Sequence, residues 1–326
     1  MIVSCAPFRV SFAGGGSDIG QFYRQRRGAV LSCSIAQYSF AIVHPYFNDQ
    51  KYHLKYSRTE LADSLDQVQH PLLREALRMR GIEPGIEVTS VADIPSGTGL
   101  GSSSSFAVAL LNALYAHQSV FASKETLARD ACALEIERLG EPIGKQDQYA
   151  AAYGGINFIE FHPDESVTVQ PLTLSKATLA ELEAGLMLLY TGGQRDTRTL
   201  LSKQMAVMQS DQSKFETMSR MVDLAHRMRD LLVAGDLNGF GTALHEGWEM
   251  KRSLADGISQ SRIDDWYAKA RAAGAIGGKL AGAGGGGFLL LYAPVARQAA
   301  VREALGELKT VEFRFDQAGA RIAFAQ

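Results

Sequence analysis

Cysteine is scarce and scattered. The 326 residues contain three, Cys5, Cys33 and Cys132, with no CxxC pair and no neighbouring histidine pair. Neither a zinc site nor a disulfide framework is expected from that pattern, and a sparse, odd count suits a reducing cytoplasm. No apolar run reaches the length of a transmembrane helix. The opening "MIVSCAPFRVSF" lacks the basic stretch and long apolar run of a signal peptide. A cytoplasmic protein with no membrane partner is therefore expected. Charge of one sign is also missing: the formal net charge is −2, which argues against a polyanion-binding surface and so against a nucleic-acid partner. There is no internal repeat and no low-complexity linker. The seven histidines are dispersed, and none is assigned a ligand role. Trp248 and Trp266 lie on helical patterns and read as core.

What is present is ordinary globular composition, 46% apolar and 21% charged. The length exceeds what a single hydrophobic core usually spans, so two domains are expected. Residues 2–5 and 8–12 read as short strands around Pro7, and 28–46 as strands rich in β-branched and aromatic residues. A helix over 71–81 closes at Gly81, and 86–95 alternates like a strand. Residues 106–115 are apolar nearly all round, the mark of a helix buried on most sides. A helix over 124–139 follows, capped by Ser123. Residues 154–163 form a further strand. The composition turns polar near 164–176, which sets domains of 1–165 and 166–326. The second opens with a strand at 186–192, continues in long helical patterns over 198–254 and a helix over 261–273, and ends in strand 288–293, helix 295–308 and strands 311–315 and 321–326. This is an α+β sandwich pattern.

The stretch "ADIPSGTGLGSSSSFAVALLNAL" (92–114) does not read as a linker. Gly97, Gly99 and Gly101 alternate, four serines follow without a gap, and the helix behind them is apolar. Amides at a helix start are unsatisfied and lie at the positive end of its dipole. Glycines let the main chain approach a ligand closely, so the segment is a candidate phosphate cradle. It is not a P-loop, because Gly144-Lys145 precedes Gln146 and Gly278-Lys279 precedes Leu280. It is not a dinucleotide fingerprint, because it reads GxGxG at mid-chain. A protein kinase is excluded by the lack of HRD and DFG.

"PSGTGLGSSSS" resembles the PxxxGLGSS phosphate loop of the GHMP kinases, the family of galactokinase, homoserine kinase, mevalonate kinase and phosphomevalonate kinase. "PFRVSFAGGGSD" resembles that family's N-terminal substrate motif, and "KLAGAGGGGFLLLY" its C-terminal glycine motif. The three occur in the family's order and span the chain. The resemblance implies two domains, an N-terminal one like ribosomal protein S5 domain 2 and a C-terminal ferredoxin-like sandwich. It also implies ATP and Mg²⁺ as cofactors. "FRVSFAGGGSD" and "HEGWEMKRSL…GGKLAGAGGGGF" are most similar to the branch that phosphorylates the C1 hydroxyl of D-glycero-D-manno-heptose 7-phosphate. That reaction leads to GDP-heptose for capsule or other surface polysaccharide. The expected partners are then a sugar phosphate and ATP, and association into a homo-oligomer is compatible with this.

The resemblance implies that Pro95, Gly97, Gly99, Leu100, Gly101, Ser102, Ser103 and Ser104 hold the nucleotide. Phosphoryl transfer needs positioning, charge neutralisation and an acceptor for the hydroxyl proton. Asp147, at a loop-to-helix junction, reads as a helix cap from its position alone and as the base once the other motifs are considered. Arg9 would orient it, or else is a surface strand arginine. For Mg²⁺ the resemblance points to Ser103, with an acid on the following helix. Glu135 shares a stripe with Ala128, Cys132 and Leu139, whereas Glu137 falls on a largely charged face. A carboxylate on an apolar stripe needs a cation, so Glu135 is chosen. Gly16, Ser17 and Asp18 would line the acceptor pocket. Lys145 contacts phosphate or is simply solvated. Arg195, Arg198, Lys251 and Arg252 are candidates for the sugar phosphate, at least one of them expected to bind it. The C-terminal loop around Gly284 and Gly285 is expected to pack against the phosphate loop. Competing readings are the same chemistry on another sugar such as fucose, a non-catalytic sugar sensor on this fold, and a nicotinamide-dependent dehydrogenase.

Overall fold

A computed structural model describes residues 1–47, 50–192, 211–255 and 257–326, together with Thr199, Ser202 and Ala206. The first residues form one strand, β1 (Ile2–Ala13), rather than two strands broken at Pro7. The register shifts between Pro7 and Phe8, and such a bulge accommodates a residue that cannot donate to the ladder. A four-residue helix, α1 (Gly20–Tyr23), leads to β2 (Gly28–Pro45), which is 18 residues long. Beyond it lie β3 (Tyr52–Lys55), β4 (Thr59–Ala62), α2 (Pro71–Arg80) and β5 (Ile86–Ala92). Gly81 closes α2 at φ 60°, the left-handed cap that glycine favours. Strands β3 and β4 were not anticipated; each is four residues long, too short for alternation to show.

β2 pairs with β1 along most of its length. On its other side, residues 28–33 pair with β6 (Ile156–Phe161) and residues 39–45 with β5. β7 (Val167–Pro171) pairs with β6, and β12 (Arg321–Ala325) with β1. β3 joins the sheet beside β5, in parallel, and β4 beside β3, making eight strands in the first sheet. The polar stretch at 164–176 thus falls on the β6–β7 hairpin, and the last strand returns to the first sheet.

One face of this sheet carries α2, α3 (Ser102–His117), α4 (Lys124–Cys132) and α5 (Gln146–Tyr153). The helix expected over 124–139 ends as α4 at Cys132 and continues as a π-helical turn, Ala133–Arg138.

The second unit follows with α6 (Lys176–Gly185) and β8 (Leu186–Gly192), then α7 (Gln212–Ala234) and α8 (Leu237–Arg252), separated at Gly235. Next come α9 (Ser261–Ala272), β9 (Gly277–Leu280), β10 (Gly287–Tyr292), α10 (Val295–Ala304) and β11 (Lys309–Val311). Its antiparallel sheet runs β11-β8-β10-β9. Residues 312–315 add no strand; Phe315 makes a single bridge to Ile35.

Side chains alternate across a strand, and β1 shows what this does. Phe8, Val10 and Phe12 join the core of the second unit, with Phe12 edge-on to Phe240 at 5.1 Å. Arg9 and Ser11, between them, face a cavity. The strand that binds the two units therefore also carries site residues. No helix among the described residues is long and apolar enough to cross a membrane.

Candidate active site

The cavity has a volume of about 370 Å³ and opens between the N-terminus of α3, the start of α5, β1 and the glycine loop after β9. Asp147 lies in the first turn of α5, but Lys145 holds the N-cap position and no side chain caps the helix. Both Asp147 oxygens are instead taken by Arg9, Nε donating to Oδ1 at 2.7 Å and Nη2 to Oδ2 at 2.8 Å. Such a fork-to-carboxylate pair fixes orientation as well as charge. The remaining Arg9 nitrogen, Nη1, donates to the Gly99 carbonyl at 2.7 Å, and the Arg9 amide to the Leu100 carbonyl at 3.1 Å. Arg9, 5% exposed, thus ties the carboxylate to the glycine-serine loop.

Gly97, Gly99 and Gly101 all have positive φ, between 77° and 85°. At Gly99 the requirement is double: a Cβ there would lie 2.6 Å from the Ala281 carbonyl oxygen. A Cβ on Gly282 would lie 2.5 Å from the Gly99 Cα, and one on Gly287 2.2 Å from the Thr98 carbonyl oxygen. The two glycine loops therefore meet main chain to main chain. Ser102, Ser103 and Ser104 line the cavity at the head of α3, whose first-turn amides have no intrahelical acceptor. Pro95 and Leu100 do not line it: the Pro95 carbonyl accepts from Thr98 Oγ1, and Leu100 is buried. They shape the loop from behind.

Glu135 is 1% exposed. Its Oε1 accepts from Ser103 Oγ at 2.7 Å and its Oε2 from Gln148 Nε2 at 2.6 Å. Burial pushes its pKa up against the hydrogen bonds from Ser103, Ser104 and Gln148, and the Asp147 charge adds to the rise. No cationic side chain among the described residues pairs with it. An unneutralised buried carboxylate beside a serine hydroxyl is a donor set suited to a hard divalent cation. The π-helical turn displaces the phase of the helix at this point, as such turns do at functional sites. Glu137 is exposed.

Asp18 is 2% exposed. Its Oδ1 accepts from the Gly16 amide and from Gln146 Nε2, and its Oδ2 from the Gln146 amide, at 2.9 to 3.1 Å. Burial first, then the Asp147 charge, raises its pKa. Gly144 leaves it room: a Cβ there would sit 1.9 Å from Asp18 Oδ2. Gly16 lines the cavity. Ser17 does not; its hydroxyl donates to the Ala29 carbonyl and accepts from the Ala29 amide.

Among the cations expected to meet a phosphate, Lys251 alone of those described reaches the cavity, its Nζ donating to the Gly282 carbonyl. Lys145 does not, because its amine pairs with Glu165 at 2.7 Å and lies over the Tyr23 ring. Arg252 is held by Glu249 and Asp264. Arg195 and Arg198 lie outside the described residues. Gly284 and Gly285 pack on Ile258, with the Gly285 amide donating to its carbonyl; Gly282 and Ala283 line the cavity in their place. Sequence reasoning missed Ser11, Gln146 and above all Lys279, which is 5% exposed and lines the same cavity. The signal was there: Lys279 is the single charge in the apolar, glycine-rich segment 273–293.

Residues 52–155 match the family model for the GHMP kinases N terminal domain, and residues 228–309 that for the GHMP kinases C terminal domain. The D-glycero-alpha-D-manno-heptose 7-phosphate kinase of Campylobacter jejuni is 27% identical over 301 residues, 88% of this chain and 87% of that protein. A bifunctional fucokinase/GDP-fucose pyrophosphorylase of Arabidopsis thaliana is 29% identical over 90% of this chain, which spans 30% of that longer protein. The crystal structure of a D-glycero-D-manno-heptose 1-phosphate kinase from Bacteroides thetaiotaomicron superposes with a TM-score of 0.82 at 27% identity, covering both chains completely.

Proposed function

Because the chain belongs to the GHMP kinases and is thus an ATP-dependent sugar phosphotransferase, we propose that it acts on the anomeric C1 hydroxyl of D-glycero-D-manno-heptose 7-phosphate. The product is the 1,7-bisphosphate, and the step serves GDP-heptose synthesis for a surface polysaccharide. The observation that carries the reading is the Asp147 carboxylate, held at both oxygens by an arginine that also grips the phosphate loop. In this reading the amides of Gly97 to Ser104 hold the nucleotide's phosphates. Asp18 accepts from the sugar's hydroxyls, and Asp147 takes the proton of the attacking one. Ser103 and Glu135 would hold Mg²⁺, which when bound offsets the charge of the β- and γ-phosphates.

The heptose relatives support the acceptor, but their names place its phosphate differently, at C7 in one and at C1 in the other. The fucokinase relative favours a second reading, in which the acceptor is fucose and carries no phosphate. Steady-state ADP release measured with heptose 7-phosphate, heptose 1-phosphate, fucose, mannose and galactose separates these. The proposal expects heptose 7-phosphate to give the highest kcat/KM, with the new phosphorus resonance coupled to the anomeric proton. Preference for fucose would sink the heptose assignment and leave the kinase.

A further inference from the structure

Lys251 and Lys279 enter one cavity from two elements of the second unit, α8 and β9, and are 6% and 5% exposed. Neither forms an ion pair with a carboxylate among the described residues. Lys251 Nζ donates to the Gly282 carbonyl, and Lys279 Nζ to the Phe12 carbonyl at 3.4 Å. Burying an ammonium without a counter-charge is costly, and burying a second beside it costs more. An apolar side chain of the same length would fill either space, so packing does not account for the pair.

The groups facing these amines define what would compensate them. Arg9 from β1 adds a third positive charge, and Asp18 and Asp147 lie within electrostatic reach of Lys251. Asp147 is committed to Arg9 and Asp18 to Gln146 and Gly16. Gly282, the acceptor for Lys251, is the residue whose main chain lies against Gly99 of the phosphate loop. Lys251 therefore sits at the seam between the phosphate loop and the base.

We propose that Lys251 and Lys279 form a two-amine anion site that receives the phosphoryl group in transit, with Lys251 contacting it directly and Lys279 supplying charge behind it. This rests on the kinase reading. The bond from phosphorus to the bridging oxygen of ADP breaks as the bond to the sugar oxygen forms. The hydroxyl proton passes to Asp147, and both lysines keep theirs. Burial, reinforced by Arg9, lowers the Lys251 pKa to about 8, and burial with the Lys251 charge drives that of Lys279 well below the usual lysine range. A phosphate anion would restore both toward about 10.4, so binding must draw protons from solution.

The test is titration calorimetry at pH 9 in two buffers of different ionisation enthalpy, on the wild type, Lys251→Met and Lys279→Met. At that pH nucleotide phosphates carry no titrating proton, their last pKa being about 6. The magnesium complex of a non-hydrolysable ATP analogue is expected to take up about 0.9 proton through Lys251 alone, given its pKa of about 8 and a bound value near 10.4. The magnesium complex of ADP is expected to take up much less. Lys251→Met and Lys279→Met should each lose a substantial part of the uptake, and Lys251→Met should lower kcat about a hundredfold. Uptake on heptose 7-phosphate in place of the ATP analogue overturns the assignment to the transferred group and moves the pair to the acceptor's own phosphate. No uptake with any of the three, or uptake unchanged in both variants, overturns the site; so does a lower melting temperature with unaltered uptake, the outcome of a merely structural role. Wild-type ADP release in the same preparation tests the underlying reading separately: proton uptake without turnover on any sugar would sink the kinase and leave the anion site.

Discussion

Every guanidinium nitrogen of Arg9 has a partner in the site, two on Asp147 and one on Gly99. If Asp147 is the base, Asp147→Asn keeps the shape of the pair but removes the proton acceptor. Its kcat should fall roughly a hundred- to ten-thousand-fold, with an unchanged circular dichroism spectrum and ATP-analogue affinity; near-normal turnover would remove Asp147 from that role. Lys251 makes a prediction of opposite sign, for stability. Its folded pKa, about 8, lies below the unfolded value near 10.4. Between those values the unfolded chain binds more protons, so stability rises with pH through that window. Below it the buried charge costs the fold on the order of 3 kcal/mol at most. Urea denaturation of Lys251→Met should therefore show a higher midpoint than wild type at pH 7 and a smaller difference at pH 10. Arg9, Ser103, Asp147 and Glu135 are legible as candidates because motif position or a charge on an apolar stripe marks them, whereas Lys251, between Glu249 and Arg252, could not be ranked above Arg195, Arg198 and Arg252. Lys279 obeys the same rule, yet the failed P-loop match hides it. Lys145 misleads because its distance from Asp147 along the chain is two residues while its amine turns to Glu165, and only the β6–β7 turn brings Glu165 there.

At the scale of elements, the seam between the two glycine loops has no side chain to yield. In Gly99→Ala, a left-handed residue gains a Cβ that meets the Ala281 carbonyl at 2.6 Å. Unfolding free energy should drop by about 2 kcal/mol or more, and KM for ATP should rise at least about tenfold; a variant with normal KM would show that the loops part easily. The β6–β7 turn holds a second device. Glu165, at φ 71°, accepts from Lys145, Tyr23 and Arg24; desolvation raises its pKa, but these hydrogen bonds and the Lys145 charge outweigh it and bring it to about 2. Its contribution is present above the ordinary glutamate value of about 4.3 and is lost as pH falls through the folded one. The side chain is half-exposed, so solvent limits the effect to about 1 kcal/mol. Glu165→Gln should lower the denaturation midpoint by that much at pH 7 and match wild type near pH 2. Helix ends such as Gly81 can be read directly, since cap and conformation coincide in one residue. The π-helical turn cannot, because one extra residue in a turn leaves the apolar pattern of 124–139 almost intact.

For the molecule as a whole, β1 is the common member of both cores and of the site. Its partner β12 contributes no residue to the cavity, yet it holds the β1 edge, with Ile2 to Cys5 opposite Ala325 to Arg321. Deleting residues 321–326 should lower the melting temperature and, by loosening the strand that carries Arg9, reduce kcat roughly tenfold; unchanged kcat would mean that β2 alone positions Arg9. The two-unit architecture is legible from three motifs in order. The return of β12 is not, because pairing between residues some 320 apart leaves no local trace.

The order in which the site's parts occur along the chain has a consequence for synthesis. The glycine-serine loop and Asp147 are translated more than a hundred residues before Lys279 and Gly282. A nascent chain that has not yet reached Lys251 would then carry the proposed nucleotide cradle with no amines across from it.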